Sequence, residues 1–166
     1  RARVIFQNAD DRASFVDRRL VAPSHAILIN GSGVDFSLFR PRALPAGEFV
    51  FLLPARLLWD KGVGEFVEAS RRLKDRWPRA RFVLLGRVDP GNPATISENE
   101  VKAWVESGVV EWWGQCSHAE MPEMLARAHV VVLPSYREGL PLVLAEAAAC
   151  GRPCITTDVP GCRDTI

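Results

Sequence analysis

The stretch that decides the fold is His129-Val-Val-Val-Leu-Pro-Ser-Tyr-Arg-Glu138-Gly-Leu-Pro-Leu-Val-Leu-Ala-Glu146. Residues 129–133 are mainly apolar and predict a strand, and residues 140–150 predict a helix. Glu138 and Glu146 therefore flank a strand-to-helix turn, which is where α/β proteins bind ligands. Backbone N–H groups at such a turn can hold an anion, whereas the carboxylates suit hydroxyl groups, as on a ribose and a sugar. The pattern predicts a site for a sugar nucleotide.

The same alternation of apolar runs and helical periodicity continues along the rest of the chain. The other predicted strands are residues 4–7, 26–29, 49–53, 81–85, 109–113 and 154–157. The other predicted helices are residues 10–19, 63–77, 97–106 and a segment that begins with a capping box of Ser117 and Glu120. Residues 40–47 contain two prolines and predict a linker. Five strands that alternate with helices after this linker favour an α/β fold with a parallel sheet covered on both faces.

Composition as a whole points away from several classes of protein. A net charge of +1 over 166 residues gives no strong field for nucleic acid or an anionic membrane. A hydrophobic content of 48% is typical of a packed domain, and no apolar run is long enough to cross a bilayer. The four cysteines form no C-x-x-C pair, so we expect reduced thiols rather than disulfides or zinc ligands; they are Cys116, Cys150, Cys154 and Cys162.

Four segments in the same order resemble glycosyltransferase family 4. The run Glu138 to Glu146, followed by Ala-Ala-Ala-Cys-Gly-Arg-Pro, resembles the signature of that family. The segment Asn-Gly-Ser-Gly-Val-Asp at 30–35, with Phe39 and Pro41, is similar to its interdomain hinge. The remaining two similarities are Ala55-Arg-Leu57 with Lys61-Gly62, which resembles the phosphate-binding pair, and residues 114–135.

The resemblance implies the GT-B architecture of two facing Rossmann-like domains and sugar transfer with retention of configuration. Residues 1–41 are then expected to be the tail of the N-terminal domain and the hinge. Residues 42–166 are expected to form a nucleotide-sugar-binding Rossmann-like domain that is truncated at its C-terminus. The acceptor site is expected in the missing part of the N-terminal domain, so we expect no sugar transfer by this chain alone.

The resemblance also implies roles for individual side chains. Arg56 and Lys61 are expected to hold the diphosphate and to offset the charge that develops on the leaving group. Glu146 is expected on the ribose hydroxyls. Glu138 is expected to position the donor sugar by hydrogen bonding and electrostatics, without acting as a nucleophile. The remaining expected donor contacts are the backbone of Gly139 and Leu140, with Pro141 in the first helical turn.

Other candidates have weaker support in the sequence. Arg87 and Trp113 follow two strands at the rim where the base is expected, although Trp113 is equally suited to the core. Gly31 and Ser32 are expected to line the cleft from the hinge. His118 and His129 are tempting general bases, but each is predicted to be structural. Gly161 resembles a family loop near the site.

The predicted function is therefore the donor-binding part of a retaining glycosyltransferase. The expected donor is a UDP-sugar such as a UDP-N-acetylhexosamine, and the expected acceptor is a glycolipid or oligosaccharide in lipopolysaccharide, capsule or other cell-surface glycan synthesis. No cofactor, metal or nucleic acid is expected. The expected location is cytoplasmic, with peripheral association at the inner face of the membrane through the missing domain. A sugar-nucleotide epimerase of similar fold and a non-catalytic nucleotide-sugar-binding module stay open as alternatives.

Overall fold

The computed structural model describes residues 2–166, which form a small N-terminal unit and a five-stranded domain. In the N-terminal unit, β1 (Val4–Phe6) pairs in parallel with β2 (Ala26–Leu28), and α1 (Ala9–Asp17) connects them. Helix α1 begins after Asn8 because the Asn8 side chain accepts a hydrogen bond from the Asp11 N–H group. A short 3₁₀ helix at Pro23–His25 precedes β2.

The five-stranded sheet is entirely parallel, as the alternating sequence pattern predicts. Its strands are β3 (Val50–Pro54), β4 (Arg81–Leu85), β5 (Glu111–Trp112), β6 (Val130–Leu133) and β7 (Cys154–Thr156). The order across the sheet is β5-β4-β3-β6-β7. Strands β4 and β5 are thus added on one side of β3, and β6 and β7 are added on its other side. This point between β3 and β6 is where ligands bind in open parallel sheets.

Helices cover both faces of this sheet, which confirms the predicted α/β fold. They are α2 (Val63–Lys74), α3 (Glu98–Glu106), α4 (Met121–Ala126) and α5 (Leu142–Ala149). One apolar core joins α2 and α3 to one face through Phe66, Val67 and Trp104. The other core joins α4 and α5 to the opposite face through Leu125 and Leu144. Burial on both faces explains why β3 and β4 are nearly continuous apolar runs.

Most predicted elements begin or end one or more residues away from their predicted bounds, and the helix predicted at residues 63–77 ends at Lys74. Three of the differences have a clear local cause. Helix α4 begins at Met121, because Pro122 suits only the first turn, and the Glu120 carboxylate accepts the Ser117 N–H in the turn before it. Helix α5 begins at Leu142, because Leu140 precedes a proline and so favours extended backbone. Pro141 is thus the N-cap residue and does not lie in the first helical turn. Strand β5 is limited to two residues and pairs only with β4, at the edge of the sheet.

Candidate functional site

The candidate site lies at the carboxyl edge of the five-stranded sheet. Because neighbouring parallel strands end at one edge, the segments after β3, β4 and β6 lie side by side. Arg56 follows β3, Arg87 follows β4 and Glu138 follows β6. The sheet thus gathers groups that are separated by up to about 80 residues in sequence.

Lys61 and Glu138 are directly paired at this edge. The Lys61 Nζ atom donates to Glu138 Oε1 at 2.6 Å, and Ser135 Oγ donates to the same oxygen at 2.7 Å. Both side chains are mostly shielded, at 21% and 13% exposed. Two donors thus fix the Glu138 carboxylate, whose other oxygen remains an acceptor for hydroxyl groups.

A glycine makes this pairing possible. Gly62 has a φ of +71°, and a Cβ atom there would lie 2.1 Å from the carbonyl oxygen of Pro134. The start of α2 therefore packs directly on the end of β6 only because residue 62 has no side chain. This close contact brings Lys61, one residue earlier, next to the turn that contains Glu138.

Glu146 is buried on α5 and contacts a histidine from a distant loop. Its Oε1 atom lies 2.9 Å from His118 Nε2, while the His118 side chain is 67% exposed and that of Glu146 only 8%. The His118 ring also packs against Phe39, with 5.2 Å between ring centroids. A buried carboxylate needs a hydrogen-bond partner, and His118 supplies one. The sequence predicts a structural His118 but gives no indication of this contact, because 28 residues separate His118 from Glu146.

A pocket of about 280 Å³ opens at the ends of β3 and β4. Arg56 and Arg87 lie on its wall, together with Gly86, Cys116 and Met121. Arg56 Nη1 donates to Asp89 Oδ2 at 2.9 Å, so a carboxylate at the rim orients its guanidinium. Two arginines on one pocket wall offer several N–H donors to an anion.

Of the other predicted residues, Gly31 and Ser32 lie beside the turn that contains Glu138, whereas Trp113 does not line the pocket. Gly31 packs on Leu140, since a Cβ atom at Gly31 would lie 2.5 Å from Leu140 Cδ2. The predicted hinge segment therefore touches the turn of residues 134–141, which contains Glu138 and is called the glutamate turn below. Ser32 is exposed beside it. Trp113 lies away from the pocket: its Nε1 donates to Glu111, and the Arg127 guanidinium carbon lies 3.8 Å from its ring centroid. The ring of Trp113 is occupied by protein groups and packs beside the core.

The N-terminal unit holds the glutamate turn from the other side. The Asn8 side chain is 1% exposed and donates to the carbonyl oxygen of Gly139 at 2.7 Å. Arg137 pairs with Asp11 on α1. A Cβ atom at Gly161 would lie 2.4 Å from the carbonyl oxygen of Glu138, so the loop after β7 packs under the same turn. Asn8 was missed from the sequence because its role depends on how two units pack.

The remaining sequence predictions concern His129 and the four cysteines. His129 is buried, and its Nδ1 accepts the Val50 N–H at 3.1 Å, which is a structural role. All four cysteines are free thiols. Burial raises the pKa of the Cys154 thiol to about 11 and also raises the pKa of Cys150 and Cys116. Within residues 2–166, no group of three or more His, Cys, Asp or Glu side chains is arranged to hold a metal ion.

Comparison with known proteins gives the family. The model of the family described as "Glycosyl transferases group 1" matches residues 35–166. The chain belongs to this family. A relative in Campylobacter jejuni, N,N'-diacetylbacillosaminyl-diphospho-undecaprenol alpha-1,3-N-acetylgalactosaminyltransferase, is 39% identical over 117 residues, which are 70% of this chain and 28% of that protein. The chain spans about a third of the length of the curated relatives it matches.

Solved structures of glycosyltransferases share this fold. Sucrose-phosphate synthase from Thermosynechococcus elongatus is 28% identical with a TM-score of 0.77, over 95% of this chain and 41% of that one. HepE from Anabaena, in complex with UDP and glucose, is 20% identical with a TM-score of 0.76, over 96% of this chain and 45% of that one. The predicted GT-B-type Rossmann-like fold of this group 1 member is therefore confirmed. Among the described residues, no helix is long and apolar enough to cross a bilayer.

Proposed function

We propose that this group 1 chain is the donor-binding part of a retaining glycosyltransferase that uses a UDP-sugar, such as a UDP-N-acetylhexosamine. The acceptor is a glycolipid or oligosaccharide in cell-surface glycan synthesis. Residues 1–41 are then the tail of the N-terminal domain with the hinge, and residues 42–166 are the donor-binding domain. The name of the Campylobacter relative, an N-acetylgalactosaminyltransferase with a diphospho-undecaprenol acceptor, supports an N-acetylhexosamine and a lipid-linked acceptor.

The observation that carries the proposal is the pairing of Lys61 with Glu138 next to a pocket walled by two arginines. An anion such as a diphosphate requires cations, and a sugar requires hydrogen-bond acceptors for its hydroxyl groups. A site with both kinds of group within a few ångströms suits a nucleotide sugar better than either ligand alone. HepE, with the same fold, is described in complex with UDP and glucose.

Each side chain has a task in this mechanism. Arg56 and Lys61 contact the diphosphate and stabilise the negative charge that grows on it as the glycosidic bond breaks. Glu138, held by Lys61 and Ser135, accepts hydrogen bonds from the donor sugar. The acceptor attacks from the face that the diphosphate leaves, and the leaving phosphate takes the acceptor proton. Glu138 is thus a positioning group and forms no covalent intermediate.

Two further groups would complete the donor site. Glu146 keeps one carboxylate oxygen on His118 and offers the other to the ribose hydroxyls. The pocket of Gly86, Arg87 and Cys116 would receive the base, and Trp113 takes no part because its ring contacts Arg127 and Glu111. Gly31 and Leu140 close the hinge side of the cleft.

The test is a calorimetric titration of the chain with UDP, GDP and ADP. Saturable binding with a preference for UDP is the expected result, because the pocket at β3 and β4 is proposed to receive uracil. A preference for another base would reassign the donor nucleotide. Absence of binding by any of the three to a cooperatively folded chain would contradict the donor-site assignment.

The same preparation tests the epimerase alternative, whereas the non-catalytic module is separated from the transferase by a transfer assay on the protein that includes the acceptor domain. A UDP-N-acetylhexosamine is incubated with the chain and analysed for free sugar, transferred sugar and an isomer of the donor. The proposal expects donor binding without an isomer and without transfer by this chain alone. Formation of an isomer would favour the epimerase, and sugar transfer by the chain alone would contradict the expectation that the acceptor site lies outside it.

A further inference from the structure

A second cavity lies at the opposite end of the sheet from the candidate donor site. It has a volume of about 560 Å³ and lies where β3 and β4 begin. Its walls are mainly aromatic and aliphatic side chains; they include Phe49, Phe51, Leu73, Trp77, Pro78 and Phe82. Phe51 and Phe82 stack at 5.1 Å, with an angle of 6° between their planes, and form a flat apolar floor.

Two aromatic side chains at this cavity face solvent. Trp77 is 57% exposed and Phe49 is 46% exposed. Exposed aromatic groups around an apolar cavity are costly in water and mark an interaction surface. Tryptophan and phenylalanine are also the side chains that amphipathic surfaces place in the interfacial layer of a bilayer.

The cavity is bordered by a concentration of positive charge. Residues 71–81 contain six basic side chains and one acidic side chain, in a chain whose net charge is only +1. Arg71 and Arg72 are paired with Glu68. Arg81 is paired with Glu111 and lies 3.9 Å from Glu48.

Two arginines of this segment remain available. Arg76 and Arg79 are exposed, and no carboxylate of residues 2–166 lies within ion-pair distance of either. Arg79 lines the cavity, and the Arg76 guanidinium carbon lies 5.9 Å from the Trp77 ring centroid. Free cations therefore adjoin the two exposed aromatic groups on one surface. Two exposed carboxylates oppose these charges: Glu48, which lines the cavity, and Asp75, which precedes Arg76 in the sequence.

We propose that this surface, the amino-edge patch of Phe49, Arg76, Trp77 and Arg79, attaches the protein to bilayers that contain anionic phospholipid. Trp77 and Phe49 enter the interfacial layer, and Arg76 and Arg79 contact the headgroup phosphates. The apolar cavity beneath them receives acyl-chain carbon. The patch lies at the amino ends of β3 and β4, so docking would leave the pocket at their carboxyl ends open to a soluble nucleotide. The attachment does not depend on the proposed donor.

An anionic bilayer fits the patch better than nucleic acid does. A nucleic acid needs cations along a path with aromatic faces for its bases, whereas Phe51 and Phe82 already stack on each other at the cavity floor. A cavity of about 560 Å³ with mainly carbon walls offers few hydrogen bonds to a phosphate backbone. Basic groups beside exposed aromatic groups are the combination that binds anionic lipid surfaces.

The test is co-sedimentation of the chain with phosphatidylcholine vesicles and with vesicles in which about a third of the lipid is phosphatidylglycerol. We expect binding to the anionic vesicles that weakens as salt is raised, because the charges lie at the surface. Each basic group near an anionic surface contributes about fivefold to binding, so Arg76→Glu with Arg79→Glu should lower the partition coefficient by about 25-fold or more. Trp77→Ala should lower it about tenfold.

Matched controls keep the test decisive. Arg3→Glu with Arg18→Glu changes the net charge equally at exposed positions outside the patch, and it should retain most of the binding. Thermal unfolding of each variant checks that it is folded, and Trp77→Phe should retain binding if the apolar ring is what matters.

Three outcomes would overturn the proposal. They are no vesicle binding by the folded chain, an equal loss in the Arg3 and Arg18 control, and displacement from vesicles by an RNA oligonucleotide that binds the patch more tightly. The last outcome would assign the cations to nucleic acid.

Discussion

The carboxyl and amino ends of the strands in the five-stranded sheet carry different kinds of side chain. At the carboxyl edge, polar side chains are held in specific pairs: Lys61 with Glu138 at 2.6 Å and His118 with Glu146 at 2.9 Å. At the amino edge, an apolar cavity of about 560 Å³ adjoins exposed aromatic groups and two cations without partners, among residues 2–166. One sheet therefore presents a polar site of paired side chains at one end and an exposed apolar and basic surface at the other.

The difference shows what each edge can recognise. Paired and shielded charges have fixed positions, so they can select a ligand by the geometry of its hydroxyl and phosphate groups. Cationic side chains that are exposed and have no partner attract anions without fixing their geometry. This suits a fluid bilayer, whose headgroups have no fixed positions. Binding of a nucleotide and binding of a bilayer should therefore respond to different substitutions.

The largest expected effect comes from Glu146 at the carboxyl edge. Glu146→Ala should weaken UDP binding about 10- to 100-fold, the size expected when a charged group loses its hydrogen bonds to ribose hydroxyls. Calorimetry measures this, with Glu106→Ala on the exposed end of α3 as the matched control. Vesicle binding should not change. Equal UDP affinity in a folded Glu146→Ala variant would remove Glu146 from the donor site.

Lys61 should give the next largest effect. Lys61→Gln should lower UDP affinity about tenfold by removing a charge-assisted contact with the diphosphate. Uridine, which has no phosphate, should bind the variant and the unaltered chain equally. A similar loss for both ligands would contradict the diphosphate contact and would indicate that the substitution disturbs the nucleoside site instead.

A smaller effect is expected at His118. His118→Ala removes one contact from Glu146 and should lower UDP affinity about threefold. In a double-mutant cycle with Glu146→Gln, the two losses should not add, because His118 acts through Glu146. His118→Asn, which retains a donor, should recover part of the affinity. Additive losses would instead indicate that His118 contacts the nucleotide itself.

The smallest effect concerns the one bidentate pair at the amino ends of β4 and β5. Arg81 donates to both Glu111 oxygens, at 2.7 and 2.6 Å, and this hydrogen bonding holds the pKa of Glu111 below its ordinary value of 4.5. A lowered pKa in the folded state adds stability that is present above pH 4.5 and is lost as the pH falls through the folded-state pKa.

Glu111→Gln should therefore lower the free energy of unfolding by about 0.5 kcal/mol at neutral pH, since both groups are partly exposed. Urea unfolding at a series of pH values should show this difference shrinking below pH 4.5. A constant difference across that range would mean that packing, and not the ion pair, accounts for it. UDP binding should not change.

Most of the fold could be predicted because its signals are local. Residues 82–85 are an uninterrupted apolar run that is followed by glycine, and the strand predicted at residues 81–85 matches β4 at both ends. The errors fall where tertiary context overrides local pattern. Pro122 delays the start of α4, and α5 begins only after Pro141, whose backbone is extended. The edge position of β5 leaves it only two paired residues.

The candidate site could be predicted only where its residues lie in one local motif. Glu138 and Glu146 flank one turn and were found from the sequence, and Lys61 came from the family resemblance. The contact between His118 and Glu146 depends on packing between α5 and a loop 28 residues away. The position of Trp113 depends on Arg127 covering its ring. Neither contact leaves a signal in a single sequence.

The most direct test of the donor-site assignment is a crystal structure of the chain with UDP. We expect the diphosphate to contact Arg56 and Lys61, and a ribose hydroxyl to donate to the free oxygen of Glu146. The base should lie in the pocket beside Gly86. UDP bound elsewhere on the chain, or oriented with its ribose away from Glu146, would contradict this assignment.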